Sequence, residues 1–334
     1  MRVAVLSDRS RGSANSNATY AERIVRAARA VGIDAVEIPI PVRSGFGAYY
    51  GRILHTWVGK VRRDGFDVVH STTYTVGRGV DVQTIYDLCP WIDPAQGRVG
   101  PVERVQIRTV ARRAKRIIVI SSFTWRYAGA YLGRVVVKKT RLVTIPVEAS
   151  AGTIGTQYDT CWVGFHVPKK RFGMFAQLSR DIPGLQQVAR INGYNREAEP
   201  DWVAAAAGSG SRLEIRTTPM SEDEMDAMYR SSRCYVCTSA PGAEGFCMPP
   251  LEAYLRGTPV VLPRQDPFLE TYEYGDAAGV YWYDPADYSD LRDKVRAAIA
   301  GPRGIVPNPR VVADHSYEVV GRALKAIYEE VLRK

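Results

Sequence analysis

Short runs of β-branched and apolar residues alternate with longer segments of helical periodicity, and this alternation constrains the fold most strongly. Such a rhythm is typical of βαβ units with parallel strands. The sequence therefore predicts two doubly wound α/β domains that face each other across a cleft, with ligands at the carboxyl ends of the strands. The predicted strands are 2–6, 35–40, 67–70, 80–85, 116–120 and 143–146 in the first series and 160–164, 187–191, 212–216, 233–237 and 259–262 in the second, with helices over 18–31 and from Pro101.

Residues 148–156 are small and polar, which is the composition of a linker between the two series. We expect a Rossmann-like domain over 1–149, a second over 150–312, and a final helix over 313–334 that packs back toward the first. The composition, 46% hydrophobic and 24% charged, is that of a folded globular protein. Five scattered cysteines and no signal-peptide pattern lead us to expect a reduced, cytoplasmic protein.

Positive charge is concentrated in the first half of the chain. Residues 1–150 contain 24 Lys and Arg against 11 Asp and Glu, a net charge of +13, whereas the rest contains 21 against 24, a net of −3. Such asymmetry often marks a surface that meets anions, and a solvated surface without a partner is the alternative. Within this half, residues 52–63 have the pattern of a basic amphipathic helix, which either packs on a core or lies on an anionic membrane.

The densest chemical signal is the segment 239–261, between two apolar runs. Its glycines and prolines predict a loop that carries Glu244, followed by a helix that starts near the proline pair, holds Glu252 in its first turn and ends at Gly257. Backbone N–H groups of residues 245–248 and the positive end of that helix suit a diphosphate. Carboxylates beside them accept hydrogen bonds from sugar hydroxyls, so the pattern indicates a sugar-nucleotide site.

Glu244 and Glu252, in the setting E-G-F-x-x-P-x-L-E-A, resemble the signature of the family 4 retaining glycosyltransferases, which have the GT-B fold of two Rossmann-like domains. Weaker similarities lie at 67–71, 84–88, 116–124 and 274–278. The resemblance implies that Glu252 binds the nucleotide ribose and that Glu244 contacts the donor sugar. It also implies that neighbouring residues hold the sugar and the diphosphate, and these are Gly245, Phe246, Cys247 and Met248, with Ser239 at the start of the segment.

A second element of that family is a cationic pair, usually G-R-x-x-x-x-K, near the start of the second domain. Here Lys170 stands at the lysine position, whereas Phe165 stands at the arginine position. The resemblance implies that Lys170 neutralises the leaving diphosphate, and Lys169 and Arg171 are candidates for the missing charge. No Asp-x-Asp pair is present, so we expect transfer without a metal ion and without another cofactor.

The first domain departs further from the family. Tyr86 and Asp87 stand where many members carry His and Asp, and the glycine-rich first loop is reduced to residues 11–17. Tyr86 donates a hydrogen bond but carries no charge near neutral pH. Asp87 is a candidate acceptor-side base or a loop cap, and His70 is either a catalytic group in the cleft or a packed histidine.

These observations predict a retaining, metal-independent glycosyltransferase that uses a UDP- or GDP-linked hexose as donor. The acceptor is not identified; the basic half favours a lipid or an anionic glycan, with peripheral contact to an anionic membrane. Four alternatives stay open: a hydrolase with Glu244 and Glu252 as acid and nucleophile, a GT-B sugar-nucleotide isomerase, an inactive binding member, and a nucleic-acid-binding protein that uses the basic half. No nucleic-acid-binding motif accompanies the charge, which disfavours the last.

Overall fold

The computed structural model describes residues 1–8, 16–40, 61, 63–74, 77–88, 101–150, 155–193, 201–273 and 277–333. The chain divides into two compact units: unit 1 contains residues 1–147 and 313–334, and unit 2 contains residues 148–312. The boundary falls at the start of the small, polar segment 148–156. Most of the basic segment 52–63 and of the first loop 11–17 lies outside the described residues.

Unit 1 is built on a parallel sheet. Its strands in the described part of the chain are β1 Arg2–Asp8, β2 Asp34–Ile40, β3 Val68–Ser71, β4 Val82–Ile85, β5 Arg116–Val119 and β6 Thr140–Leu142. They are arranged in the order β2-β1-β3-β4-β5-β6. The inner strands β3, β4 and β5 are buried along their whole length, as expected when helices cover both faces of a parallel sheet.

Unit 2 contains a second parallel sheet. Its described strands are β7 Tyr158–Phe165, β8 Gln186–Asn192, β9 Arg212–Arg216, β10 Ser232–Val236, β11 Val260–Pro263 and β12 Val280–Tyr283. The order across the sheet is β12-β11-β10-β7-β8-β9. The central strands carry apolar side chains on both faces, and one of these faces packs Trp162, Phe172 and Phe175 into the core of the unit.

Helices flank both sheets. Within the described ranges they are α1 Ser16–Ala30, α2 Pro101–Arg113, α3 Ser122–Leu132, α4 Arg134–Lys138, α5 Phe172–Asp181, α6 Trp202–Gly208, α7 Glu222–Arg230, α8 Met248–Leu255, α9 Phe268–Tyr272, α10 Tyr288–Ala300, α11 Pro309–Asp314 and α12 Tyr317–Leu332. The last helix, α12, packs on α1 in unit 1. A Cβ at Gly321 would lie 2.2 Å from the Ala27 carbonyl oxygen, so only glycine permits this close approach. None of the described helices is long and apolar enough to cross a membrane.

Two strands at sheet edges were not predicted correctly from the sequence. The predicted strand at 143–146 is wrong: the edge strand of unit 1 is β6, at Thr140–Leu142, and it pairs with β5. The apolar residues after it are buried by another contact, since the Ile145 carbonyl accepts from Nδ1 of His315 at 2.7 Å. The strand β12 was not predicted at all, because its residues are mostly half-buried aromatics without a clear alternation.

Candidate active site

The two loops that meet at the centre of the unit 2 sheet follow β7 and β10. The chain leaves β7 toward β8 on one side and returns to β10 on the other, which makes this the switch point where ligands bind in open α/β sheets. The loops are joined by hydrogen bonds. The Ala240 N–H donates to the Lys169 carbonyl at 2.8 Å, and the Thr238 hydroxyl donates to the Lys170 carbonyl at 2.7 Å.

The loop after β10 has a conformation that its own sequence explains. Ala243 N–H donates to the Ala240 carbonyl at 3.1 Å, which closes a four-residue turn. Proline at the second position and glycine at the third, with φ +68° at Gly242, match a type II turn. This turn brings Glu244 back toward the loop that follows β7.

Lys170 and Glu244 form a buried ion pair at this point. Nζ of Lys170 lies 2.8 Å from Oε1 of Glu244, and the two side chains are 13% and 8% exposed. The Ser239 hydroxyl donates to the same carboxylate oxygen at 3.1 Å. Burial opposes the ammonium charge, but the acidic groups of Cys247 and Glu244 outweigh burial and raise the pKa of Lys170. Lys170 is therefore a cation throughout the physiological pH range.

Two cysteines adjoin this ion pair. The Cys247 sulfur lies 3.6 Å from Nζ of Lys170, and the Cys237 sulfur lies 3.6 Å from the Ser239 hydroxyl. No cluster of three potential metal ligands occurs in the part of the chain that the structure describes.

Glu252 lies on α8, which begins at Met248 with prolines in its first turn. The helix start agrees with the prediction to within about one residue, but it places Glu252 at the start of the second turn rather than in the first. The Tyr229 hydroxyl donates to Oε2 of Glu252 at 2.9 Å. Burial, and then the Glu252 carboxylate, raise the pKa of Tyr229 well above its usual value, so this donor remains protonated and orients the carboxylate.

The other cations of the loop after β7 do not join the ion pair. Nζ of Lys169 donates to the Ala243 carbonyl at 3.2 Å, and Nη1 of Arg171 donates to the Pro285 carbonyl at 2.8 Å. Arg171 has φ 48° and ψ 46°, a left-handed conformation that costs a non-glycine residue about 1–2 kcal/mol. This bend separates the Arg171 side chain from that of Lys170. Phe165, at the end of β7, is partly exposed.

Sequence reasoning missed two residues that hold the loops in place. Thr238 accepts a hydrogen bond from the Trp162 indole N–H at 3.0 Å. A buried tryptophan needs a partner for its N–H, which is the signal that could have indicated such a residue. The Gln265 amide donates to the carbonyls of Ser239 and Ala240 at 3.3 and 3.2 Å, and no local pattern indicates this contact.

Arg190, on β8, is a third residue that was missed. It is 7% exposed, and its Nε has no hydrogen-bond partner among the described residues. Burial lowers the pKa of Arg190, while the nearby Tyr229 and Glu252 oppose that shift. A buried donor without a partner is costly, so an unpaired guanidinium N–H in the neighbourhood of Glu252 points to a ligand that carries an acceptor.

The predicted catalytic residues of the first domain lie in unit 1. His70 is fully buried on β3, and its two ring nitrogens contact the Tyr328 and Thr84 hydroxyls, both at 2.8 Å. Burial lowers the pKa of His70 to about 3. This environment favours the packed histidine over the catalytic one. Asp87 follows β4 and is half-buried.

Comparison with known proteins connects this geometry to a family. Residues 203–310, which include Glu244 and Glu252, match the model described as glycosyl transferases group 1. This segment is similar to the glycosyl transferases group 1. The match confirms the family resemblance that the two glutamates carry and supports the glycosyltransferase class. A comparison with curated proteins finds no match by sequence.

Solved structures extend the group 1 similarity to the fold of the whole chain. The chain is similar to sucrose-phosphate synthase from Thermosynechococcus elongatus, with TM-score 0.74, 14% identity and 100% of both chains covered. It is also similar to Anabaena Alr3699/HepE in complex with UDP and glucose, with TM-score 0.64, 13% identity and coverage of 100% and 98%. An E. coli structure described as "Trehalose-6-phosphate" bound with UDP-2-fluoro glucose gives TM-score 0.61, 11% identity and coverage of 100% and 99%. The predicted GT-B fold is confirmed.

Proposed function

We propose that this protein is a retaining, metal-independent glycosyltransferase that moves a sugar from a nucleotide diphosphate donor to an acceptor hydroxyl. The observation that carries the proposal is the buried ion pair of Lys170 and Glu244 at the switch point of the unit 2 sheet, in the same loop system as the start of α8. Retention of configuration and metal independence follow from the family resemblance. The proteins of similar structure that hold UDP or a UDP-sugar support a nucleotide-sugar donor.

This site would have its strongest effect on the leaving diphosphate. As the bond between the sugar and the diphosphate breaks, negative charge grows on the phosphate oxygens. A permanent cation in a buried setting stabilises that charge far more than an exposed one would. The ammonium of Lys170 has three N–H groups, and its contacts with Glu244 and Cys247 use two of them. The third would donate to a phosphate oxygen, with the amino end of α8 adding its partial positive charge.

The two carboxylates would bind the sugars at either end of the diphosphate. Glu252, held by Tyr229, would accept hydrogen bonds from the ribose hydroxyls. Glu244 would accept from a donor-sugar hydroxyl. In the family that this chain resembles, an arginine at the position of Phe165 supplies a second positive charge. Arg190 would supply that charge here.

Donor calorimetry tests this assignment. Glu252→Gln should weaken binding of UDP or GDP by about 2–4 kcal/mol, because charge-assisted hydrogen bonds to the ribose are lost. Glu244→Gln should weaken an intact sugar nucleotide more than the bare nucleoside diphosphate. Glu273→Gln, which alters an exposed carboxylate of the same unit, is the matched control. Unchanged nucleotide affinity in Glu252→Gln would contradict the assignment.

Product analysis separates the proposal from its alternatives. With donor and acceptor, turnover should persist in excess EDTA, and nuclear magnetic resonance should show a retained anomeric configuration. Free sugar released without an acceptor would favour a hydrolase, and a rearranged sugar nucleotide would favour an isomerase. The hydrolase also needs a protonated carboxyl, whereas Glu244 is ion-paired with Lys170.

The acceptor is proposed to be anionic or embedded in an anionic membrane, from the charge of +13 on residues 1–150. Attraction of that kind decays over about 8 Å at physiological salt, so sedimentation with anionic vesicles should fall between roughly 0.05 and 0.5 M salt. Reversal of the exposed Arg104 and Arg112 of α2 to Glu should mimic high salt. Arg63 is unsuitable for such a reversal because it pairs with buried Asp81 at 2.7 Å. Insensitivity to both changes would contradict the proposal, and equal binding to duplex DNA would favour the nucleic-acid alternative.

A further inference from the structure

The loop that carries Glu244 begins and ends with a cysteine. Cys237 follows β10 directly, and Cys247 precedes the first residue of α8. Both are buried free thiols, each sulfur lies 3.6 Å from a member of the Ser239, Glu244 and Lys170 cluster, and each thiol shifts the pKa of the other. The two sulfurs are therefore close together although ten positions separate them in the sequence.

The contacts of these thiols form a closed ring through the candidate active site. From Cys237 the ring passes to Ser239 at 3.6 Å, from Ser239 to Glu244 at 3.1 Å, from Glu244 to Lys170 at 2.8 Å, and from Lys170 to Cys247 at 3.6 Å. The interaction between the two thiols, through which each shifts the pKa of the other, closes it. The transfer chemistry proposed above uses the ion pair in this ring but neither thiol group.

We propose that Cys237 and Cys247 are an oxidation site at which a peroxide forms a disulfide, and that this disulfide weakens donor binding. The first part rests on the contacts of the two sulfurs. The second part also rests on the proposed function, because it takes the ring to be the place where the donor diphosphate binds.

The surroundings affect the ionisation of the two thiols. Burial opposes ionisation of Cys237, but the hydrogen bond from Cys247 and the charge of Lys170 outweigh it and lower the pKa of Cys237. The same hydrogen bond, followed by burial, raises the pKa of Cys247 well above its usual value. A thiolate is the nucleophile in thiol oxidation, and Lys170 favours a thiolate in this pair, so one thiol attacks the oxidant and the other resolves the product.

The reaction is balanced with hydrogen peroxide as the oxidant, and it is written with Cys237 as the attacking thiol; the exchange of the two cysteines gives the same balance. The Cys237 sulfur attacks one peroxide oxygen and the O–O bond breaks, which yields a sulfenic acid and, after protonation of the leaving hydroxide, water. The Cys247 sulfur then attacks the Cys237 sulfur, and the S–O bond breaks. The hydroxide that leaves takes the Cys247 proton and becomes a second water. Two thiols and one peroxide thus give one disulfide and two waters.

The disulfide would change the geometry of the donor site. A disulfide holds its sulfurs at about 2.05 Å, much closer than a hydrogen bond does, so the Cys247 sulfur must move toward Cys237 and away from Lys170. Cys247 lies in extended backbone immediately before α8, outside the helix itself. The segment between the cysteines, including Glu244, would be pulled with it.

The chain contains a matched control. Cys161 and Cys234 are also buried free thiols of unit 2, on the neighbouring strands β7 and β10. Burial raises the pKa of Cys161 to about 12 and that of Cys234 well above its usual value. Neither is ion-paired to a lysine in the described contacts, so this pair should resist oxidation under conditions that convert the first pair.

The test is peptide mapping of the whole protein after treatment with hydrogen peroxide, blocking of free thiols and digestion without reductant. The expected product is a Cys237–Cys247 cross-link in the wild type and in Cys161→Ser/Cys234→Ser, absent in Cys237→Ser and reversed by dithiothreitol. A cross-link between Cys161 and Cys234, or recovery of Cys237 and Cys247 as free thiols, would overturn the proposal.

Calorimetry with UDP and GDP on the oxidised and re-reduced protein tests the functional part. Oxidation should weaken the better ligand by roughly tenfold or more, about 1.4 kcal/mol, and reduction should restore it. Equal affinity of the cross-linked and reduced forms would overturn the coupling to donor binding. If the reduced protein binds neither nucleotide, the proposed function fails, whereas the disulfide is still established by the mass of the cross-linked peptide.

Discussion

The two sheets bury different chemistry at the carboxyl ends of their strands. In unit 2 the buried groups there include a full ion pair, Lys170 with Glu244. In unit 1 the buried polar side chains that the structure describes at this edge are neutral, and they include Ser7, His70, Ser71, Thr72, Thr73, Thr84 and Ser121. Two carboxylates, Asp8 and Asp87, are half-buried beside them.

Unit 1 does bury charge, but at the opposite ends of its strands. Asp81, just before β4, contacts Arg63 at 2.7 Å and Lys115 at 3.2 Å. Arg116, which opens β5, pairs with Glu330 of α12. These pairs lie away from the edge where ligands bind, so they serve to hold the unit together.

The difference teaches that the same type of sheet buries a charge pair in one unit and neutral polar groups in the other. A buried ion pair at the ligand edge costs desolvation and is a weak source of stability, which makes sense where a charged donor is to be bound. Buried hydroxyls suit a ligand that is recognised through hydrogen bonds. The predictions below test whether charge in unit 2 serves ligand binding and whether the neutral groups in unit 1 serve the fold.

The largest expected effect comes from breaking the ion pair. Lys170→Met leaves the buried Glu244 carboxylate unpaired, which should lower the free energy of unfolding of unit 2 by about 3–5 kcal/mol. Turnover should fall at least tenfold, about 1.4 kcal/mol of lost leaving-group stabilisation. Denaturant unfolding and initial-rate kinetics measure the two effects.

A double variant separates fold from function in that experiment. Lys170→Met combined with Glu244→Gln removes both charges, so stability should recover substantially while turnover stays low. Recovery of turnover in the double variant would show that the pair serves the fold alone and would break the comparison.

The next largest effect concerns His70 and pH. Its pKa of about 3 in the folded protein lies below the ordinary 6.5, so the unfolded chain binds the extra proton and stability is lost as pH falls below 6.5. Between pH 7 and 5 the contribution of His70 to unfolding free energy should fall by about 2 kcal/mol.

The measurement is denaturant unfolding of wild type and His70→Gln at both pH values. His70→Gln should flatten the pH dependence by that amount. His315→Gln is the control. His315 is also buried in unit 1 and burial lowers its pKa, so it makes a separate contribution to the pH dependence of stability. If His70→Gln reduces turnover at pH 7 without changing the pH dependence of stability, His70 serves the reaction rather than the fold.

The smallest expected effect concerns Arg190. Arg190→Met keeps the length and apolar contacts of the side chain but removes its charge and its unpaired N–H. Affinity for UDP or GDP should fall by roughly tenfold, about 1.4 kcal/mol, because a cation near Glu252 is lost. Stability should stay the same or rise, since a buried unpaired donor is removed. A loss of stability with unchanged affinity would instead make Arg190 a structural residue.

Most of the fold could be predicted from the sequence, because alternation of apolar runs and helical segments is a local pattern. The loop of Glu244 was also readable, since proline and glycine at 241 and 242 set a turn and the prolines at 249 and 250 begin a helix. Two of the four edge strands in the described sheets were the weak point. The strands β6 and β12 are half-exposed, so they lack the continuous apolar run by which inner parallel strands are recognised.

The sequence by itself determined the fold class and the two glutamates of the site; the tertiary structure decided which other groups reach them. Lys169 and Lys170 are neighbours in a 3₁₀ turn, where successive side chains point about 120° apart, so only the folded chain shows that Lys170 meets Glu244. The contact joins residues 74 positions apart, and it exists because β7 and β10 are adjacent in the sheet. The two thiols, the buried Arg190 and the buried His70 also owe their surroundings to residues distant in the sequence, which no local pattern encodes.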